Sequence, residues 1–258
     1  MRLAIAGKGG SGKTSISGTM ARLLARSGRD VLAIDADANP NLALTLGVPA
    51  QRMSDVPLLS PDLLTWGHGA VLTRSLDEIK EDHGLIGSDG VRLLTMALPQ
   101  TTNTGCISGL HATVRKIIDA MPTGENDVCI LDTDASPEIF LRGVPMYVDA
   151  ILLVVEPYFK SLETGRRMAA LATDLGLDRV ALLANKLRDE DDLEAVRAYA
   201  ERHGLEFGGG VPFDAGFPAA EHAGLAPLDH MPDSPAIRAI DEIGQRWADI
   251  SNRRIPTA

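Results

Sequence analysis

Cysteine is scarce in this 258-residue sequence, which holds only Cys106 and Cys129. Two thiols cannot build the disulfide framework of a small secreted scaffold, so the fold must rest on its core. Aromatic residues make up only 4% of the chain, which makes that core aliphatic. No apolar run approaches the roughly 20 residues that span a bilayer. The apolar start, Leu3–Ala6, is too short for the hydrophobic segment of a signal peptide. Positive charge is in deficit as well: 25 Lys and Arg stand against 35 Asp and Glu, a net charge of −10. A binder of DNA or anionic membrane carries a basic footprint, so neither nucleic acid nor membrane is expected as a partner. The expected compartment is the reducing cytoplasm.

What the chain does contain is a series of short aliphatic runs: Leu3–Ala6, Val31–Ile34, Val91–Met96, Val128–Leu131, Ile151–Val155 and Val180–Ala184. They are continuous rather than alternating, as strands buried on both faces are. Amphipathic stretches lie between them. One runs from Lys13 to Arg26, another from Ser161 to Leu175 with Ser161 as the expected N-cap, a third carries Leu193, Val196 and Tyr199, and a last is striped by Ile237, Ile240, Ile243, Trp247 and Ile250. Strand alternating with helix predicts one α/β domain over residues 1–258, a mostly parallel, twisted sheet of about seven strands flanked by helices. Residues 48–90 scatter Pro, Gly and Asp and are expected to form an irregular insertion.

The strongest motif is Gly7-Lys8-Gly9-Gly10-Ser11-Gly12-Lys13-Thr14, directly after a predicted strand and before a predicted helix. It fits G-x-x-x-x-G-K-[ST] in the setting that motif requires. Its backbone N–H groups, with the N–H groups of Gly9, Gly10, Ser11 and Gly12 among them, can turn around phosphate oxygens. The helix start at Thr14 and Ser15 adds positive potential, Lys13 reaches the terminal phosphates, and the Thr14 hydroxyl can ligate Mg²⁺. Acidic residues close two strands: Asp35 and Asp37 in Asp35-Ala36-Asp37-Ala38-Asn39, and Asp132 and Asp134 in Asp132-Thr133-Asp134-Ala135-Ser136. Open α/β sheets bind their ligands at such strand ends. Asn185-Lys186 closes another strand, and Arg188 stands where a guanine-specific N-K-x-D would need Asp, which favours ATP over GTP.

Lys8 before the double glycine resembles the deviant Walker A motif of the MinD/ParA and nitrogenase iron-protein superfamily. In those proteins the extra lysine reaches across a dimer to the partner's nucleotide. The resemblance implies that Lys8 and Lys13 neutralise phosphate charge and that Asp37 positions the attacking water. It also implies that Thr14, Asp35 and Asp132 organise Mg²⁺, that Asn185 reads the base with Lys186 beside it in the nucleotide site, and that Pro212 and Phe213 pack along it. Asp35 to Leu42, Leu46-Gly47-Val48 and Val155-Glu156-Pro157 with Ser161 to Thr164 narrow the resemblance to CooC-type ATPases, accessory proteins that insert nickel into carbon monoxide dehydrogenase.

That family carries a C-x-C pair after its third strand, shared across the dimer. Here the stretch reads Cys106-Ile107-Ser108, so two protomers offer two thiolates instead of four. Thiolates suit Ni²⁺ or Zn²⁺, and a tetrahedral site wants four ligands, a set that His111 would complete. Cys129 reads as a buried, inert thiol. The expected activity is slow Mg²⁺-dependent ATP hydrolysis by a chain that becomes a homodimer around ATP and serves a client metalloenzyme. A second reading stays open: a MinD/ParA-like positioning or partitioning switch with no metal role.

Overall fold

The computed structural model describes residues 1–96, 107–122 and 124–250. Its strands are β1 (Arg2–Gly7), β2 (Asp30–Ala36), β3 (Leu58–Leu59), β4 (Leu64–Trp66), β5 (Ala70–Leu72), β6 (Leu85–Ile86), β7 (Arg92–Met96), β8 (Asp127–Thr133), β9 (Ala150–Val155), β10 (Val180–Leu187) and β11 (Glu206–Pro212). The helices are α1 (Lys13–Arg26), α2 (Leu42–Thr45), α3 (Leu76–His83), α4 (Ile107–Asp119), α5 (Glu138–Leu141), α6 (Phe159–Asp174), α7 (Glu190–Arg202), α8 (Gly216–His222), α9 (Pro227–His230) and α10 (Pro235–Ile250).

The main sheet runs β11-β10-β9-β1-β8-β2-β7-β3, every neighbouring pair parallel, and β6 adds to β7 antiparallel. Seven long strands match the aliphatic runs and the segment before Val211. The two-residue strands β3 and β6 come from the 48–90 segment, which also holds the β4–β5 hairpin and α3. Two residues are too few to show a period, so neither strand was legible beforehand.

Apolar cores cover both faces of the sheet. On one face Ile5, Ala33, Ile130 and Leu183 pack against Ile16 and Met20 of α1 and Ile240 and Trp247 of α10. On the other Ala4, Ile34, Leu131 and Leu153 pack against Val114 of α4, Met168 of α6 and Val196 of α7. This two-sided burial is why the strands read as unbroken aliphatic runs. Gly208, Gly209 and Gly210 in β11 leave room for the last helix: a Cβ on Gly209 would lie 2.7 Å from Ile243. Trp247 closes the contact by donating its Nε1–H to Gly208 O at 3.2 Å. Each large apolar side chain so buried contributes about 1.5–3 kcal/mol. The apolar stripe of α10 is therefore spent on the core. Among the described residues no helix is long and apolar enough to cross a membrane.

The N-cap of α6 is Tyr158 rather than Ser161. The Ser161 hydroxyl instead accepts the Glu156 N–H at 2.9 Å, tying the helix back to the end of β9. Backbone need explains the shift: Pro157 cannot donate, so the neighbouring N–H takes a side-chain acceptor.

Arg22 of α1 is the main buried cation of this layer. Its Nε donates to Asp89 at 2.7 Å, and its Nη1 and Nη2 to the two Asp229 oxygens at 2.8 and 2.6 Å. The guanidinium thus staples α1 to the turn at Ser88–Gly90 and to α9. Both carboxylates keep some solvent, so Arg22→Ala is expected to cost about 3 kcal/mol, the lower end for breaking a buried pair. Urea denaturation measures this. A loss below about 1 kcal/mol would make the triad a surface-grade ion pair.

Candidate nucleotide site

The phosphate loop leaves the central strand β1 and enters α1. From here α1 leads to β2 on one side of β1, and β8 leads to β9 on the other. The loop therefore sits where the sheet changes its direction of growth, the usual ligand crevice of open α/β sheets. Two glycines are dictated by space as well as by backbone angle. Gly7 has φ 147°, and a Cβ there would lie 2.4 Å from Val154 O. Gly12, at the N-terminus of α1, has φ 95° and would bring a Cβ to 2.4 Å from Asn185 Nδ2. Gly9, Gly10 and Ser11 form the turn between, closed by Ser11 N–H donating to Lys8 O at 3.2 Å. The Ser11 hydroxyl is buried and has no hydrogen-bond partner.

Lys13, Thr14 and Ser15 occupy the first turn of α1. The Lys13 ammonium is buried, with Lys8 O at 3.4 Å. Burial pulls its pKa below the ordinary lysine value, while the charges of Asp132, Asp37 and Asp134 pull the other way. Three of the acidic residues singled out from the sequence thus converge on the loop lysine.

Asp132 is fully buried at the end of β8. Its Oδ1 accepts the Ser17 hydroxyl at 2.9 Å, and its Oδ2 has no hydrogen-bond partner. Burial first, and then the charge of Asp35, push its pKa up to about 7, against the Thr14 and Ser17 hydroxyls and Lys13. A buried carboxylate oxygen left unsatisfied beside Thr14 fits a hydrated Mg²⁺, which takes one or two carboxylates plus phosphates rather than a protein cage. Ser17, one helical turn beyond Thr14, was missed from sequence. The signal was there: Thr14 and Ser17 at i, i+3 share a helix face.

Asp35 is the register partner of Asp132 on one side and Thr95 on the other. The three form a buried polar row across β8, β2 and β7. The oxygens of Asp35 already have partners, Oδ1 accepting Asp37 N–H at 3.2 Å and Oδ2 accepting Leu42 N–H at 2.8 Å. Burial raises its pKa to about 6 despite those bonds. Its visible work is therefore to fold the 37–42 segment over the C-terminal end of β2. Asp37 is half-buried on that segment and accepts Asn39 N–H at 2.8 Å.

The pKa directions carry a pH dependence. A raised carboxylate pKa leaves Asp132 partly protonated near neutrality, and ionisation must precede ligation. Apparent Mg²⁺ affinity is expected to weaken by up to about tenfold per pH unit below 7, with about three-quarters of a proton released per Mg²⁺ bound at pH 6.5. Calorimetry in buffers of different ionisation enthalpy counts that proton. Release near zero at pH 6.5 would show that Asp132 is already ionised.

On the other flank of the loop, Asn185 Nδ2 donates to Ser11 O at 2.7 Å. Lys186, at φ 60°, donates from Nζ to Gly10 O at 2.6 Å and pairs with Glu156 at 3.1 Å. Asn185, expected to read the base, and Lys186 beside it therefore both grip the phosphate loop itself. Pro212 ends β11, and Phe213 follows it, exposed, with the Arg188 guanidinium 5.9 Å from its ring. Glu156 and Tyr158 also belong to this flank and were not assigned a role from sequence. The usable signal was a carboxylate at the end of a wholly apolar strand.

Cys106 lies outside the described residues. His111, on α4, is buried, which does not suit a ligand reaching across to a partner. Cys129 is buried in β8 with its thiol pushed up to about 12 by burial, as expected of an inert thiol. Among the described residues no group of three or more His, Cys, Asp or Glu is placed to hold a metal ion.

A glycine-rich loop gripping a buried lysine at the switch point of a parallel sheet defines a P-loop ATPase. Within that class the chain belongs to the CobQ/CobB/MinD/ParA nucleotide binding domain family, which it matches over residues 3–228. It is 35% identical over 242 residues to the carbon monoxide dehydrogenase accessory protein CooC of Rhodospirillum rubrum, covering 90% of this chain and 91% of CooC. It is 34% identical over 251 residues to an uncharacterised ATP-binding protein of Methanocaldococcus jannaschii, covering 94% and 96% of the two chains. Among solved structures, MinD of Pyrococcus horikoshii with Mg-ADP superposes with a TM-score of 0.71 at 18% identity, covering 98% of this chain and 99% of MinD. The McdA(D38A)–ATP complex of Cyanothece gives 0.69 at 18% identity, covering 100% and 98%.

Proposed function

We propose that this chain is an ATP-driven accessory protein of metallocentre maturation, which pairs with a second copy around Mg-ATP and reopens on hydrolysis. The observation that carries this reading is the 35% identity to CooC across nine-tenths of both chains. Phosphoryl transfer needs positioning and charge neutralisation more than covalent chemistry. Lys13 holds the terminal phosphates, and Lys8 neutralises developing charge from the partner's side. Asp37 orients the attacking water and takes up its proton. Thr14 and Asp132 hold Mg²⁺, which when bound spreads the phosphate charge, and Asp35 keeps the 37–42 segment in register behind them. Asn185 and Lys186 act as positioning residues for the loop, and Phe213 with Arg188 forms the wall against which the base lies. A guanidinium offers donors only, which suits the acceptor nitrogens of adenine and opposes the N1–H and amino group of guanine.

The cargo is a thiophilic metal, Ni²⁺ or Zn²⁺, taken by the Cys106 thiolates of the paired chains. The test is metal stoichiometry on reduced protein titrated with Ni²⁺ and with Zn²⁺, beside Cys106→Ser. About one tight metal per dimer, lost in the variant, is the expected result. No tight binding in either protein would end the metal role. It would leave a positioning or partitioning ATPase of the MinD/ParA kind.

A further inference from the structure

Lys8 sits at the open edge of the loop, where its ammonium could extend into solvent. It does not: Nζ stands 3.5 Å from the Tyr158 hydroxyl and 5.4 Å from the ring centroid, beside the phenol oxygen. That hydroxyl donates to Glu156 Oε1 at 3.2 Å. Glu156 Oε2 in turn takes Lys186 Nζ at 3.1 Å, and Lys186 Nζ donates to Gly10 O at 2.6 Å. The contacts close a ring that starts and ends on the phosphate loop, running Lys8–Tyr158–Glu156–Lys186–Gly10. Glu156 is the nearest carboxylate in that ring, and both of its oxygens are already engaged. Lys8 is therefore left with a neutral partner, the phenol oxygen.

We propose that Tyr158 is a positioning residue for Lys8: it parks the ammonium on its own protomer until the triphosphate bound by a second copy competes for it. The proposal rests on the paired-chain reading given above. Its chemistry is graded. An ammonium on an exposed, neutral phenol oxygen is held weakly, and a triphosphate is held strongly through charge-assisted bonds. The park cannot lock the chain open, but it raises the concentration at which two copies close. It also keeps Lys8 off the phosphates of its own loop, where Lys13, 3.4 Å from Lys8 O, already supplies a cation.

The chain has six lysines. Full-length protein labelled with ¹³C-lysine should therefore give six resolvable side-chain Hε–Cε signals, with Lys8 assigned by its loss in Lys8→Arg. In wild type the Lys8 Hε signal should be displaced from the free-lysine position by the neighbouring Tyr158 phenol and show a nuclear Overhauser contact to the Tyr158 ring protons. It should return to the free-lysine position in Tyr158→Leu, and in wild type once a non-hydrolysable ATP analogue and Mg²⁺ close the dimer. Each dimer frees two such contacts, so sedimentation with the same analogue should show Tyr158→Leu dimerising about five- to thirtyfold more tightly than wild type, with Tyr158→Phe close to it because both lose the hydroxyl. Nucleotide affinity of the dilute, monomeric protein should not change. An unshifted Lys8 signal in wild type overturns the proposal. So does a Tyr158→Leu dimer equal to or weaker than wild type. In either case Lys8→Ala separates the two ideas: dimerisation lost in Lys8→Ala leaves the paired-chain reading standing, and dimerisation kept takes both down.

Discussion

Lys13→Ala is expected to weaken ATP binding by about 10²–10⁴-fold, the equivalent of two charge-assisted hydrogen bonds to phosphate oxygens. The protein should remain folded. The ammonium is buried beside Asp132, Asp37 and Asp134, and its one direct contact is Lys8 O at 3.4 Å. Its removal leaves Asp132 without its nearest cation, so that carboxyl should titrate higher still in the variant. Calorimetric titration with ATP and Mg²⁺ measures the loss, and a melting curve checks the fold. Affinity within tenfold of wild type would mean that the phosphates are held by backbone N–H groups alone.

Asp37→Ala is expected to act on the other side of the reaction. Hydrolysis should fall by about 10²–10⁴-fold, the range for losing a positioned proton acceptor, while ATP affinity stays near wild type. The variant should accumulate as an ATP-bound dimer on gel filtration. Asp37→Asn sharpens the test, because its amide oxygen can still accept Asn39 N–H and preserve the turn. A slow Asp37→Asn points to the carboxylate as the lost group. An active one assigns Asp37 to shaping the segment, and the water must then be held elsewhere.

The phosphate loop was legible because its chemistry is local: eight contiguous residues carry the turn, the cation and the metal hydroxyl. The long strands were legible for a related reason, since burial on both faces writes each one as a single aliphatic run. Asp35, Asp37 and Asp132 followed from their places at strand ends. Partners far apart in sequence were not legible. Lys8 and Tyr158 are 150 residues apart, and so is the logic that joins them through Glu156. Arg22 looked like an ordinary helical arginine until Asp89 and Asp229 came to it from two other elements. Asn185 and Lys186 were placed at the right crevice, but their donors turn to the Ser11 and Gly10 carbonyls. A backbone acceptor leaves no mark in the sequence.

Pinned at its side by the Asp89–Arg22–Asp229 staple and along its length by α10, α1 can neither roll nor slide without baring a desolvated guanidinium. Any movement that nucleotide turnover asks of this chain therefore falls to the short segments hung from single carboxylates, 37–42 from Asp35 and the turn at 134–136 from Asp134.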